Sequence, residues 1–249
     1  MKISRARLLP SSWQKPQSSI LFSESNFKVK YIKSEKDKVM SYQLRHRIFC
    51  NELKWVPRRE DSQEVDSYDK DATSIGVYNE AGNLVSMVRI IVSDNTFMLE
   101  KEFPFLLEDG YNLRKERDTV ELSRLCVAPE ARNATFADNF GLHVISMLLY
   151  KGVYHWCLAN TVRYIYMVVE QRVYRLLCAK GFPCKLVGAP VVMPDGVEAV
   201  AAILDWREFE MVNIVRRPKL LEWFSRYQSS RPTKLRQQRG SDSLHQAFS

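Results

Sequence analysis

Apolar and polar residues alternate from Phe27 to Tyr31, the two-residue period of a half-buried strand. The period then changes. Ser34 offers an N-cap with Asp37 three residues on, and Met40, Leu44, Ile48 and Phe49 recur at helical spacing. This helix is expected to end near Trp55–Pro57, since proline cannot continue it. A polar, acidic stretch from Arg58 to Asp71 reads as a loop. Two β-rich runs, Thr73–Asn79 and Leu84–Ser93, flank the turn Glu80–Asn83 and predict a hairpin. After a loop holding Phe103–Leu107, a strand is expected over Thr119–Val127, and a long helical pattern runs from about Phe136 to Leu158. Arg163–Val169 reads as a strand and Gln171–Lys180 as a helix stopped by Gly181. A last hairpin turns at Met193–Gly196. This order predicts an α/β fold, a mixed sheet with helices on both faces.

Charge divides the chain into three parts. Of the net charge of +8, residues 1–25 carry +3 and residues 216–249 carry +6, which leaves residues 26–215 at −1. Residues 26–215 are therefore expected to form the folded domain. Residues 1–25, rich in Ser, Pro and Gln, read as a flexible lead, and residues 216–249 as a basic, disordered tail. Five cysteines without a C-x-x-C pair point to reduced thiols in the cytoplasm, and four scattered histidines offer no metal-ligand spacing. No apolar run reaches the length of a signal peptide core or a membrane span.

The chemistry concentrates in four places. Arg45 and Phe49 lie four apart on one helical face, with Trp55 just beyond. The acidic loop contains Glu64, Asp66, Tyr68 and Asp69. Arg89 interrupts an apolar strand, where a buried guanidinium needs carboxylate partners. Finally, Glu121, Ser123 and Arg124 open a strand whose alternation puts Arg124 on the face opposite the other two, unless a bulge intervenes. Each piece alone is ordinary. Together they place three arginines and at least three carboxylates in ordered segments.

In this order and spacing the residues resemble the LuxI-type autoinducer synthases, whose pattern is R-x-x-x-F-x-x-x-x-x-W, D-x-x-D, a strand Arg, a loop Phe and E-x-S-R. The matches are Arg45, Phe49 and Trp55; Asp66 and Asp69; Arg89; Phe103; and Glu121, Ser123 and Arg124, spread over roughly residues 27–205. The resemblance implies an N-acetyltransferase-like (GNAT-like) fold and an acyl-homoserine-lactone synthase. In that reaction the amine of S-adenosylmethionine (SAM) attacks an acyl thioester on an acyl carrier protein, and the SAM carboxylate then displaces methylthioadenosine. SAM is a substrate, so no cofactor and no metal are expected.

On this reading Glu121 is the candidate base, and Arg45 and Arg124 orient the substrate carboxylate. Asp66 and Asp69 hold the arginines, with Asp66 expected on Arg89 and Asp69 on Arg124. Phe49 and Trp55 form an aromatic wall for the adenosyl group, with Arg89 and Phe103 also at the SAM site. Backbone N–H groups of Leu125, Cys126 and Val127, beside Ser123, are expected to hold the thioester oxyanion, and Met147 and Met167 to meet the acyl chain.

The segment after Val127 lacks the glycine-rich turn that cradles pyrophosphate in CoA-dependent relatives of this fold, which favours a carrier-protein donor over acyl-CoA. Lys151, Arg163, Arg172, Arg175 and Lys180 are candidate contacts for an acidic carrier. Two alternatives remain: an N-acyl amino acid synthase on the same fold, and a nucleic-acid binder using the basic ends. The slightly acidic core, without a recognition motif, disfavours the second, and neither nucleic acid nor membrane is an expected partner.

Overall fold

The computed structural model describes residues 19–226. The expected mixed sheet forms, from β1 (Ile20–Glu24), β2 (Phe27–Tyr31), β3 (Thr73–Tyr78), β4 (Leu84–Val92), β5 (Thr119–Val127), β8 (Tyr164–Glu170), β11 (Glu198–Asp205) and β10 (Val191–Val192), in that spatial order. A short β9 (Lys185–Leu186) also pairs with β11. Every pairing is antiparallel except β5 with β8. A separate two-stranded sheet, β6 (Thr135–Asp138) and β7 (Gly141–Val144), stands outside the main one.

Helix α1 (Glu35–Arg45) begins as the sequence predicts, Ser34 Oγ accepting from the Asp37 N–H at 3.1 Å. It runs on as a wide π-helical turn, His46–Glu52, which carries Phe49 inward. Helix α3 (Ile145–Asn160) covers the sheet through Gly152, where a Cβ would stand 3.0 Å from Val29 Cγ1. Val88 pairs with Ile75 on this side, so Ile90, Leu122 and Met167 also face α3, while Arg89, Glu121 and Ser123 face away. On that opposite face α2 (Met98–Lys101) packs with Ile91, Phe97, Leu99 and Tyr166 in a second, smaller core.

Two departures from regular pairing matter for function. Ser123 pairs with Arg89 but Cys126 with Met87, so β5 holds one extra residue there, and Arg124 takes a left-handed φ of 50°. The ladder between β5 and β8 covers Thr119–Leu122 and Tyr164–Met167, although β5 continues to Val127 and β8 to Glu170. The two strands part beyond Leu122.

Three expectations are corrected. The lead of residues 1–25 is not wholly loose: Ile20–Glu24 is a strand with Leu21 and Phe22 buried, while residues 1–18 lie outside the described region. The helix expected from Phe136 starts only at Ile145. Asp138 Oδ1 accepts from the N–H groups of Phe140 (2.7 Å) and Gly141 (3.1 Å), and Gly141 has a φ of 138°, so the chain reverses there as a hairpin. The tail expected from residue 216 is ordered at its start. Helix α5 (Trp206–Arg216), N-capped by Asp205, leads into α6 (Pro218–Ser225), where Trp223 and Phe224 are fully buried. Residues 227–249 lie outside the described region. The remaining helix, α4 (Gln171–Ala179), ends before Gly181 as expected.

Candidate active site

Arg45 closes α1, Arg89 sits mid-β4 and Arg124 occupies the β5 bulge, and the acidic loop folds over all three. Glu64 bridges Arg45 Nε and Arg124, accepting from Arg124 Nη2 at 2.9 Å and Nε at 3.2 Å. Asp66 takes Arg89 Nη1 at 2.5 Å and Arg124 Nη2 at 2.9 Å. Asp69 takes Arg45 Nη1 at 2.6 Å and Nη2 at 3.1 Å, and Arg89 Nη1 at 2.9 Å. Three guanidinium groups thus face three carboxylates. Arg45, Arg89 and Glu64 are each 1% exposed or less, a burial that charges tolerate only when paired in this way. Burial alone would raise the Glu64 and Asp69 carboxyls, but the adjacent guanidinium groups hold both below the usual carboxylate range.

The expected Asp66–Arg89 pair is present. Asp69 does not pair with Arg124 as expected: it binds Arg45 and Arg89, and Arg124 turns to Glu64 and Asp66. The bulge brings Arg124 to the same face as Glu121 and Ser123, but Asp69 is already engaged there by Arg45 and Arg89. Arg45 has no open side for a substrate carboxylate and instead fixes Glu64 and Asp69. Arg124 and Asp66, whose side chains are 14% and 20% exposed, are the cluster members nearest solvent. Two members were missed as site residues. Glu64 stood in the acidic loop without a partner to single it out, and Met98 Sδ lies 3.1 Å from Arg89 Nη2 and 3.8 Å from Arg124 Nη1.

Glu121 is buried behind this cluster. Its oxygens accept from the N–H groups of Met98 (2.5 Å) and Leu99 (2.8 Å), which anchors the start of α2. Burial pushes its carboxyl up to about 7, against the pull of those two donors and of Arg89. Ser123 Oγ accepts from Arg89 Nε at 2.9 Å. Phe49 lies 6.2 Å from Trp55 between ring centroids and 5.5 Å from the Arg124 guanidinium. Trp55 is 44% exposed, and its indole N–H donates to Asp195 at 2.7 Å. Phe103 stands apart: it packs on Phe105 at 6.3 Å against the second core.

Leu125, Cys126 and Val127 continue β5 past the point where it leaves β8. Cys126 is buried, and burial pushes its thiol up to about 12. Met147 and Met167 are buried on the α3 face, away from the ion cluster. Of the cations expected to meet a carrier protein, Lys151 is buried on Glu24 (2.8 Å) and Arg163 is paired with Asp205 (2.6 Å), whereas Arg172 and Arg175 are exposed. Among the described residues no helix is long and apolar enough to cross a membrane, and no cluster of His, Cys, Asp or Glu is placed to hold a metal ion.

A splayed mixed α/β sheet of this topology, flanked by helices, is a GNAT-like fold. A Lactobacillus plantarum protein assigned as an N-acetyltransferase shares the fold at a TM-score of 0.51 and 13% identity, covering 73% of this chain and 99% of that one. More narrowly, the chain belongs to the autoinducer synthase family, whose profile matches residues 29–214. An acyl-homoserine-lactone synthase of Rhizobium radiobacter is 32% identical over 174 residues, 69% of this chain and 80% of the relative. The CoA-dependent acyl-homoserine lactone synthase BjaI, solved with SAM and isopentyl-CoA, superposes at a TM-score of 0.61 with 23% identity, covering 72% of this chain and 82% of its own.

Proposed function

We propose that the chain acylates the amine of SAM from an acyl carrier protein thioester and then closes the homoserine lactone with release of methylthioadenosine, producing a quorum-sensing signal. The observation that carries this reading is the three-arginine, three-carboxylate cluster on the sheet face where β5 parts from β8. SAM brings a sulfonium, an ammonium and a carboxylate. Arg124 and Asp66, at the open edge of the cluster, offer one group of each sign to the last two. Phe49 and Trp55 give the adenosyl group and its sulfonium an aromatic wall.

The ammonium must lose a proton before it attacks. Glu121, its carboxyl raised to about 7, has the proton affinity a general base needs and takes up the proton, directly or through a water. The freed amine attacks the thioester carbon, and the oxyanion meets backbone N–H groups of the Leu125–Val127 stretch. Collapse expels the carrier's thiolate, which takes up a proton. The SAM carboxylate then attacks the carbon bearing sulfur, forming the ring C–O bond as the C–S bond breaks and methylthioadenosine leaves neutral. The acyl chain lies among Met147 and Met167 on the far side of the opening.

The test is to incubate purified chain with SAM and a panel of acyl groups on carrier protein or CoA, following products by mass spectrometry. Acyl-homoserine lactone and methylthioadenosine in equal amounts, with higher kcat/KM on the carrier protein, are expected. Neither product from any donor would reject the reading. Preference for CoA would reject only its donor half. Activity on free amino acids without methylthioadenosine would instead indicate an N-acyl amino acid synthase.

A further inference from the structure

Within the ion cluster every guanidinium nitrogen donates to an oxygen except two. Arg45 gives all of its nitrogens to Glu64 and Asp69. Arg89 gives Nε to Ser123 and Nη1 to Asp66 and Asp69, and Arg124 gives Nε to Glu64 and Nη2 to Glu64 and Asp66. The nitrogens left are Arg89 Nη2 and Arg124 Nη1, and among the described residues both have the Met98 sulfur as their partner, at 3.1 Å and 3.8 Å. A thioether accepts only weakly, so an oxygen here would compensate the buried charge better. The two contacts differ in access. Arg89 is fully buried, whereas the Arg124 side chain keeps some exposure at the open edge of the cluster. Arg124 Nη1 is thus the nitrogen that has neither an oxygen partner nor complete burial.

Met98 is itself held from behind. It opens α2, and its backbone N–H donates to Glu121 at 2.5 Å beside that of Leu99 at 2.8 Å. Phe97 before it and Leu99 after it are fully buried in the second core, which leaves the main chain at Met98 little room to shift. One residue therefore meets the candidate base through its backbone and two arginines through its side chain. An unbranched thioether suits this place because it reaches both nitrogens without claiming either. Leucine would fill a similar volume with no acceptor, and glutamine would set an amide oxygen on the nitrogen that a substrate carboxylate needs.

We propose that Met98 is a positioning residue for the carboxylate of SAM: its sulfur holds Arg124 Nη1 in place and, by accepting only weakly, leaves that nitrogen to the substrate. This rests on the reading of SAM as the acceptor substrate. It also sets the spacing between Arg124 and Glu121, so that the carboxylate and the amine of one SAM molecule meet their partners together.

Calorimetry of the full-length chain with SAM and with decarboxylated SAM, which keeps the sulfonium and the ammonium and lacks only the carboxylate, tests this without turnover. Met98→Leu, a nearly volume-conserving change, is expected to weaken SAM at least about fivefold and decarboxylated SAM by less than about twofold. Met98→Gln, whose oxygen competes for Nη1, is expected to show the same selective loss. In an Arg124→Gln background Met98→Leu should weaken SAM no further, because the sulfur acts through that arginine. In kinetics, KM for SAM should rise in Met98→Leu with KM for the acyl donor steady. Equal losses for the two ligands, or no loss for SAM, overturn the proposal, since Met98 would then only fill space. Wild type that binds neither ligand overturns the proposed function together with this role, whereas SAM binding with equal losses overturns this role alone.

Discussion

Glu64→Gln is the substitution that most directly probes the ion cluster. The glutamate is 1% exposed and carries Arg45 on one side and Arg124 on the other. Its neutralisation leaves three guanidinium groups against two carboxylates. Breaking a buried pair costs about 3–5 kcal/mol. Here Arg45 keeps its two bonds to Asp69 and Arg124 keeps Asp66, so the lower end, about 3 kcal/mol, is expected. For a domain of this size that corresponds to a fall in Tm of about 6–12 °C, read by circular dichroism. Arg124 also loses three of its four carboxylate contacts. If it orients SAM, KM for SAM should rise about 10-fold to 100-fold, followed by methylthioadenosine release. A double-mutant cycle with Arg124→Gln should show coupling of about 1–3 kcal/mol. A variant melting within about 2 °C of wild type with unchanged KM would falsify the reasoning, since Glu64 would then hold neither arginine.

Glu121→Gln should lower kcat about 100-fold or more and abolish a pH dependence that the wild type shows. A base must be unprotonated, so wild-type kcat/KM should rise with pH through about 7 and level off above. Stability should fall in acid: Glu64 and Asp69 have folded-state carboxyls below their unfolded values, so their contribution is present above pH of about 4–4.5 and is lost as pH drops through the folded values. Urea midpoints between pH 3 and 6 check this, and Glu64→Gln should flatten the trend. Trp55→Ala should raise KM for SAM about 10-fold with little change in Tm, because the ring is nearly half exposed. Asp195→Ala, which frees the indole N–H, should raise it by about threefold at most.

Much of this fold was legible because period and punctuation agreed. The β3–β4 hairpin, the capped start of α1 and the strand of Glu121 each had both signals. Where they conflicted, the apolar pattern misled. Phe136, Phe140 and Val144 fall at helical spacing, yet Asp138 and Gly141 mark a reversal, and the turn chemistry won. The basic residues of 216–226 hid an apolar stripe of Leu220, Leu221, Trp223 and Phe224, and Pro218 at the first helical position was the overlooked signal. In the site, residue types were legible and partners were not. Pairing depends on one extra residue in β5, and alternation gives no sign of where a bulge will fall.

That bulge also explains why the cluster contains as many arginines as carboxylates. With regular pairing, Arg124 would point to the α3 face, leaving three carboxylates against two guanidinium groups in a buried site, an excess of negative charge that burial makes costly. The left-handed turn at Arg124 brings a third guanidinium to the three carboxylates, and it does so where β5 leaves β8. One local distortion thus ties two requirements together: a charged surface on one face, and an opening toward the apolar α3 side. A change that restores regular pairing, such as deletion of Arg124, should close the opening and remove the third guanidinium together. Substitution of Arg124 by Gly, which tolerates the same φ, should lose the charge but keep the opening. Comparing the two variants by hydrogen exchange along β5 and β8 separates backbone from charge. Protection beyond Leu122 and Met167 should rise only in the deletion.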